Sequence, residues 1–133
     1  MEAFYTPPDG AQELAALLER SGVDFKREGS RFSFVFASEG CRWRTVCDCR
    51  EGLVLVYGIH PAVVLEPGGA LRVCSALNAS VTRGSFFLLD EHIIFRTGAH
   101  LLEHIDAQDR IADALEYNAA AMTHFWERLA AAL

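Results

Sequence analysis

Between Arg31 and Ile59 the chain alternates side-chain character with a period of two, and two Glu-Gly pairs, Glu39-Gly40 and Glu51-Gly52, cut that alternation into three runs. Successive side chains of an extended strand point to opposite faces. Phe32, Phe34 and Phe36 therefore share a face, as do Cys41, Trp43, Thr45, Cys47 and Cys49, and then Leu53, Leu55, Tyr57 and Ile59. A Gly-containing pair between such runs signals a hairpin, because Gly accepts the positive φ that tight turns demand. The stretch predicts a three-stranded antiparallel meander ending near Pro61, which lacks the N–H a ladder needs. The intervening positions mix Val35, Val46, Val54 and Val56 with Ser33, Arg42, Arg44, Asp48 and Arg50. That mixture predicts one core face and one partly wet face.

Elsewhere the period is that of a helix. Asp9 is placed to cap a first helix whose Leu14, Leu17 and Leu18 fall on one side before Gly22 stops it. Gly68-Gly69 opens a second, carrying Leu71, Cys74, Leu77, Asn78 and Val81 at helical spacing. A hairpin follows, Ser85 to Leu89 and Ile93 to Thr97 around Asp90-Glu91-His92. Its first strand, Phe86-Phe87-Leu88-Leu89, is apolar on both faces and needs cover on both, from the domain's helices or from a partner. The last third predicts one long helix with Asp106 as its cap and Asp109 in its first turn. Ile111, Leu115, Met122, Phe125, Trp126, Leu129 and Leu133 lie within a stripe of roughly 120°, interrupted by Asn118. The expected order is α-β-β-β-α-β-β-α, an α+β fold in which an antiparallel sheet, a meander plus a hairpin, packs with helices.

The positions Asn78, Gly84, Phe86, Asp90, Ile94 and Arg96 together resemble the YbjN family of bacterial proteins, labelled sensory transduction regulators. The order of elements resembles the type III secretion chaperone-like fold, and the likeness runs from about Leu14 to the C-terminus. This resemblance implies a small acidic homodimer that binds other polypeptides, with no catalytic residues to carry over. It implies structural roles for Asn78, closing the second helix, Gly84, allowing the turn into the hairpin, and Asp90, shaping its tip. The family's usual hairpin glycine has no counterpart in Asp90-Glu91-His92, so Glu91 and His92 would have to accept backbone angles that Gly takes more readily.

Composition narrows the function classes. All 133 residues are expected in a single domain, of a size that buries roughly two-thirds of its unfolded surface. Twelve basic against eighteen acidic residues give a net charge of −6, which disfavours nucleic acid and anionic membranes as partners. The start Met1-Glu2-Ala3-Phe4-Tyr5-Thr6-Pro7-Pro8 does not read as a secretory signal, and the mildly apolar region from Pro61 to Val81 is broken by Glu66, Pro67 and Arg72. A cytoplasmic location is expected, in which the four cysteines are reduced core thiols.

Motifs for catalysis are absent: there is no H-E-x-x-H, no G-x-S-x-G and no P-loop. Cys47-x-Cys49, with Cys41 or Cys74 nearby, is one conceivable metal or thiol site, but structural zinc prefers the tighter Cys-x-x-Cys turn. His100 and His104 would share a helical face if the residues between them are helical, with His60 or His92 as a third ligand. Arg42, Arg44 and Arg50 alternate along one strand face and could grip a carboxylate, although Asp48 stands in the same row. The leading expectation is a non-enzymatic protein-interaction domain, chaperone-like or regulatory, homodimeric and without a cofactor. Its apolar contact residues would be Phe86, Phe87, Leu88, Leu89, Met122, Phe125 and Trp126. A type III secretion chaperone is the near alternative. A metal- or thiol-dependent sensor or enzyme built on Cys47, Cys49 and the histidines is the distant one.

Overall fold

The computed structural model describes residues 5–131. Six strands form one antiparallel sheet in the order β1-β2-β3-β4-β6-β5. The meander is β2 (Arg31–Ser38), β3 (Cys41–Arg50) and β4 (Leu53–Ile59). Ser38 faces Cys41 and Arg50 faces Leu53 across its turns. Glu39 and Gly40 both take positive φ, 52° and 80°. The second turn is tied to the rest of the chain: Gly52 N–H donates to the Pro8 carbonyl at 2.9 Å and its own carbonyl accepts from Leu101 N–H at 2.8 Å. One short strand, β1 (Lys26–Glu28), was not expected; its residues are exposed and charged, so no apolar alternation announces it.

All the helices lie on one face of the sheet. α1 (Gly10–Arg20) is capped by the Asp9 carboxylate, which accepts from Ala11 N–H at 3.0 Å and Gln12 N–H at 3.3 Å. Its Leu14, Leu17 and Leu18 pack among Phe32, Phe34, Cys47 and Cys49. α2 (Pro67–Asn78) begins at Pro67, where the lost N–H costs nothing, and buries Ala70, Cys74 and Leu77. Leu71, expected in that stripe, is 54% exposed. The predicted last helix is divided at Phe125 (φ −100°, ψ 10°) into α3 (Ala107–His124) and α4 (Trp126–Ala131). The break lets the Phe125 ring meet Phe86 edge-on at 5.9 Å while Trp126 packs against Trp43 at 5.7 Å. Asp106 stands in the cap position without capping, since its carboxylate accepts from Arg110 Nε at 2.8 Å instead. Leu133 lies outside the described residues.

The side of β4 that meets the helices is the reverse of the one expected. Register places Val54 opposite Cys49 and Val56 opposite Cys47, so Val54 and Val56 join the core while Leu53, Leu55, Tyr57 and Ile59 turn away from it. The cause lies at Gly58, where a Cβ would stand 2.5 Å from Asn118 Oδ1 and 3.1 Å from Met122 Cγ. Only the Gly58 side is low enough for α3 to approach. Asn118, the polar break in the helical stripe, exploits that approach: its Nδ2 donates to the carbonyls of Phe95 (2.9 Å) and Val56 (3.2 Å), and lies 3.3 Å from Thr97 Oγ1. Thr97 in turn donates to the Ala114 carbonyl at 2.9 Å. A buried amide so satisfied fixes which strands α3 lies over.

Candidate interaction face

Among the described residues no helix packs on the opposite side of the sheet. The register lines its residues up in rows across the strands, with β5 (Ser85–Leu89) and β6 (His92–His100) completing them. One row reads Val35, Arg44, Ile59, Ile94, Phe87 and the next reads Ser33, Val46, Tyr57, Arg96, Ser85. A third reads Arg31, Asp48, Leu55, Gly98. The centre is thus an apolar floor edged by arginines. Its neighbours hold Ile94 at 6% exposure, whereas Val35 at 52% and Leu89 at 51% lie at the margins. A groove of about 610 Å³ runs beside the hairpin tip, lined among others by Arg44, Tyr57, Ile59, Leu89 and His92.

The tip is a two-residue turn. Asp90 (φ 50°) and Glu91 (φ 66°) both adopt left-handed angles, the pattern of a type I′ turn matched to strand twist. His92, expected within the turn, is instead the first residue of β6 and faces Leu89. The Glu91 carbonyl accepts from Val64 N–H at 2.7 Å, so the strained corner is held from outside. Gly84 (φ 74°) is required before β5, because a Cβ there would collide with the Arg96 carbonyl. Asn78 ends α2 and its amide also brackets β5: Nδ2 donates to the Phe86 carbonyl at 2.9 Å and Oδ1 accepts from Phe86 N–H at 2.6 Å.

Of the residues expected to make partner contacts, Phe86 (2% exposed) and Met122 (0%) are sealed in the core. Leu88 lies on the helix side, half-buried with Phe125 and Trp126. Phe87 and Leu89 do face the open side. The sequence reading places Val46 on the partly wet face without naming it as a contact, and misses Leu55, Tyr57, Ile59 and Ile94 as parts of that face. Its signal was present in the run Leu53–Ile59, which is apolar on both sides.

The thiols and imidazoles are arranged differently from a reactive centre. Cys47 and Cys49 are free thiols on the covered face; burial, then Cys49, raises Cys47 far above its ordinary range, and burial, then Asp48, pushes Cys49 up to about 12. Thiolate, the nucleophilic and metal-binding form, is suppressed there. His100 ends β6 and the residues after it are not helical, so it shares no helical face with His104, whose Nε2 lies 2.8 Å from the Thr6 carbonyl. His60 is buried against Trp126, ring centroids 4.4 Å apart, and its Nδ1 accepts from Ala62 N–H at 3.3 Å. Burial lowers its pKa, and nearby His92, whose Nδ1–H donates to the His60 carbonyl at 2.9 Å, lowers it further. Among the described residues no three His, Cys, Asp or Glu converge on a metal position. In the arginine row, Arg50 pairs with Asp48 at 3.2 Å, which leaves Arg42 and Arg44 uncommitted among the described residues.

Fold and face together define an α+β class: an antiparallel sheet with the helices of the described residues all on one side. In that class the chain is similar to the crystal structure of YbjN from E. coli, a protein described there as a candidate transcription regulator. The TM-score is 0.62 at 16% sequence identity, over 86% of this chain and 87% of that one. The chain therefore has a YbjN-like fold. No protein-family model and no curated protein matches it in sequence. Among the described residues no helix is long and apolar enough to cross a membrane.

Proposed function

We propose that this chain is a non-enzymatic protein-interaction domain with a regulatory or chaperone-like task, homodimeric, docking another polypeptide on the open sheet face. The observation that carries the reading is the half-buried apolar floor of Val46, Leu55, Tyr57 and Ile59, which no helix among the described residues covers. Contiguous uncovered apolar surface is costly in water and marks interaction sites in soluble proteins. The fold is shared with a protein described as a candidate regulator of transcription. A net charge of −6 opposes direct contact with DNA, so regulation through another protein is the reading adopted.

Leu89→Asp tests it by placing a carboxylate at the margin of the groove, at a residue already 51% exposed. The variant is expected to melt like the native chain and to lose polypeptides that co-purify with it from the native cell. Light scattering is expected to report a dimer. A strictly monomeric native protein that recovers no polypeptide would overturn the proposal.

A further inference from the structure

Charge is distributed very unevenly over this molecule. Strand alternation and register put Lys26, Arg31, Arg42, Arg44, Arg50 and Arg96 on the open face, six of the chain's twelve cations, against Glu28 and Asp48, two of its eighteen carboxylates. The hairpin tip adds Asp90 at the rim of the groove, and Asp24 lines a second hollow on this face beside Lys26, Arg42 and Arg44. The remaining surface is correspondingly acidic. Among the described residues the only open-face ion pair is Arg50 with Asp48, so Lys26, Arg31, Arg42, Arg44 and Arg96 have no carboxylate within salt-bridge reach. Four of those five are guanidiniums, which bind carboxylates in a two-pronged geometry.

The arrangement selects among occupants. Stacking two copies face to face would set arginine against arginine around a shared apolar centre, and like charges juxtaposed at a contact are strongly unfavourable. A single strand of nucleic acid needs aromatic rings to stack its bases. Here the floor is mainly aliphatic, Tyr57 is the one central aromatic, and the Phe87 ring has the Arg96 guanidinium 5.8 Å from its centroid. Both sheet edges are poor for strand addition: β1 is three charged residues long, and Asn78 already occupies the Phe86 backbone of β5. What remains is a chain that lies on the face, apolar residues down and carboxylates outward to the arginines.

We infer that the open sheet face docks an acidic amphipathic polypeptide segment, its apolar side chains seated on Val46, Leu55, Tyr57 and Ile59 and its carboxylates held by Arg31, Arg44 and Arg96. This rests on the proposed polypeptide docking and adds the chemistry of the partner.

The experiment uses the full chain and four labelled probes followed by fluorescence anisotropy. They are a synthetic peptide alternating Glu with Val and Ile, the same peptide with Lys for Glu, the same with Ser for Glu, and a single-stranded DNA oligonucleotide. The acidic peptide is expected to bind, more weakly as salt rises, and about tenfold or more weakly to the exposed double variant Arg31→Glu/Arg44→Glu, whose melting should match the native chain. Equal binding of the Ser peptide overturns the acidic preference while leaving polypeptide docking intact. Unchanged affinity in the double variant, or preference for the Lys peptide, overturns the inference outright. Binding of the oligonucleotide alone overturns both readings. If no probe binds, the inference fails, and polypeptide docking is then decided separately by the Leu89→Asp co-purification.

Discussion

The two faces of this sheet share every backbone hydrogen bond and differ in what they demand of a side chain. On the covered face helix docking requires one small residue, Gly58, one satisfied amide, Asn118, and a set of fully buried apolar groups. The one charged strand residue on that side, Arg27, stands exposed at the β1 edge with its guanidinium 4.9 Å from the Phe32 ring centroid. On the open face apolar floor and unpaired arginines coexist, because water still reaches the guanidinium groups. Close packing makes the first face unforgiving of a single methyl group, whereas the second should absorb large changes at little cost.

That contrast can be broken most directly at neighbouring positions of β4. Gly58→Ala is expected to cost about 2–3 kcal/mol by urea unfolding, because the new Cβ meets Asn118 Oδ1 at 2.5 Å and the helix must move. Tyr57→Ala, one residue away on the open side, is expected to cost about 1 kcal/mol or less. Equal losses would mean that the open face is packed as tightly as the core. The next effect in size concerns pH. His60 has a folded-state pKa below its ordinary 6.5, so the unfolded chain takes up the proton first. Its contribution is complete above pH 6.5 and is lost progressively as pH falls from there toward the folded value. Thermal melts across that window should show declining stability, and His60→Phe should flatten the decline. The smallest expected effect is a gain: Glu91→Gly relieves a left-handed backbone at φ 66° and should stabilise by about 1 kcal/mol in the same unfolding assay.

Much of the fold was legible because its turns and alternation are local. Glu39-Gly40 and Glu51-Gly52 fall between the strands they were read to separate, and Asp9 caps the helix it was read to start. The reading went astray where the deciding contact is distant in sequence. Leu53–Ile59 is apolar on both sides, and only the meeting of Gly58 with Asn118, 60 residues apart in the chain, says which side is core. Nothing local marks the break at Phe125, since neither Gly nor Pro is there; ring packing against Phe86 and Trp43 accompanies it. The candidate face suffered the same fate. Phe87 and Leu89 could be singled out from an apolar run, but pairing to β6 was needed to set Phe87 beside Ile94 and, through it, Ile59.

Asn78 carries a consequence beyond its two hydrogen bonds. Its side-chain amide has the donor and acceptor of a peptide group, so at Phe86 it acts as a seventh strand one residue long. An apolar edge of this kind is otherwise a template on which identical chains can add. By filling that position from within, Asn78 guards the dispersed state. Its loss would be felt first as a tendency to grow into ordered aggregates while the individual fold remained intact.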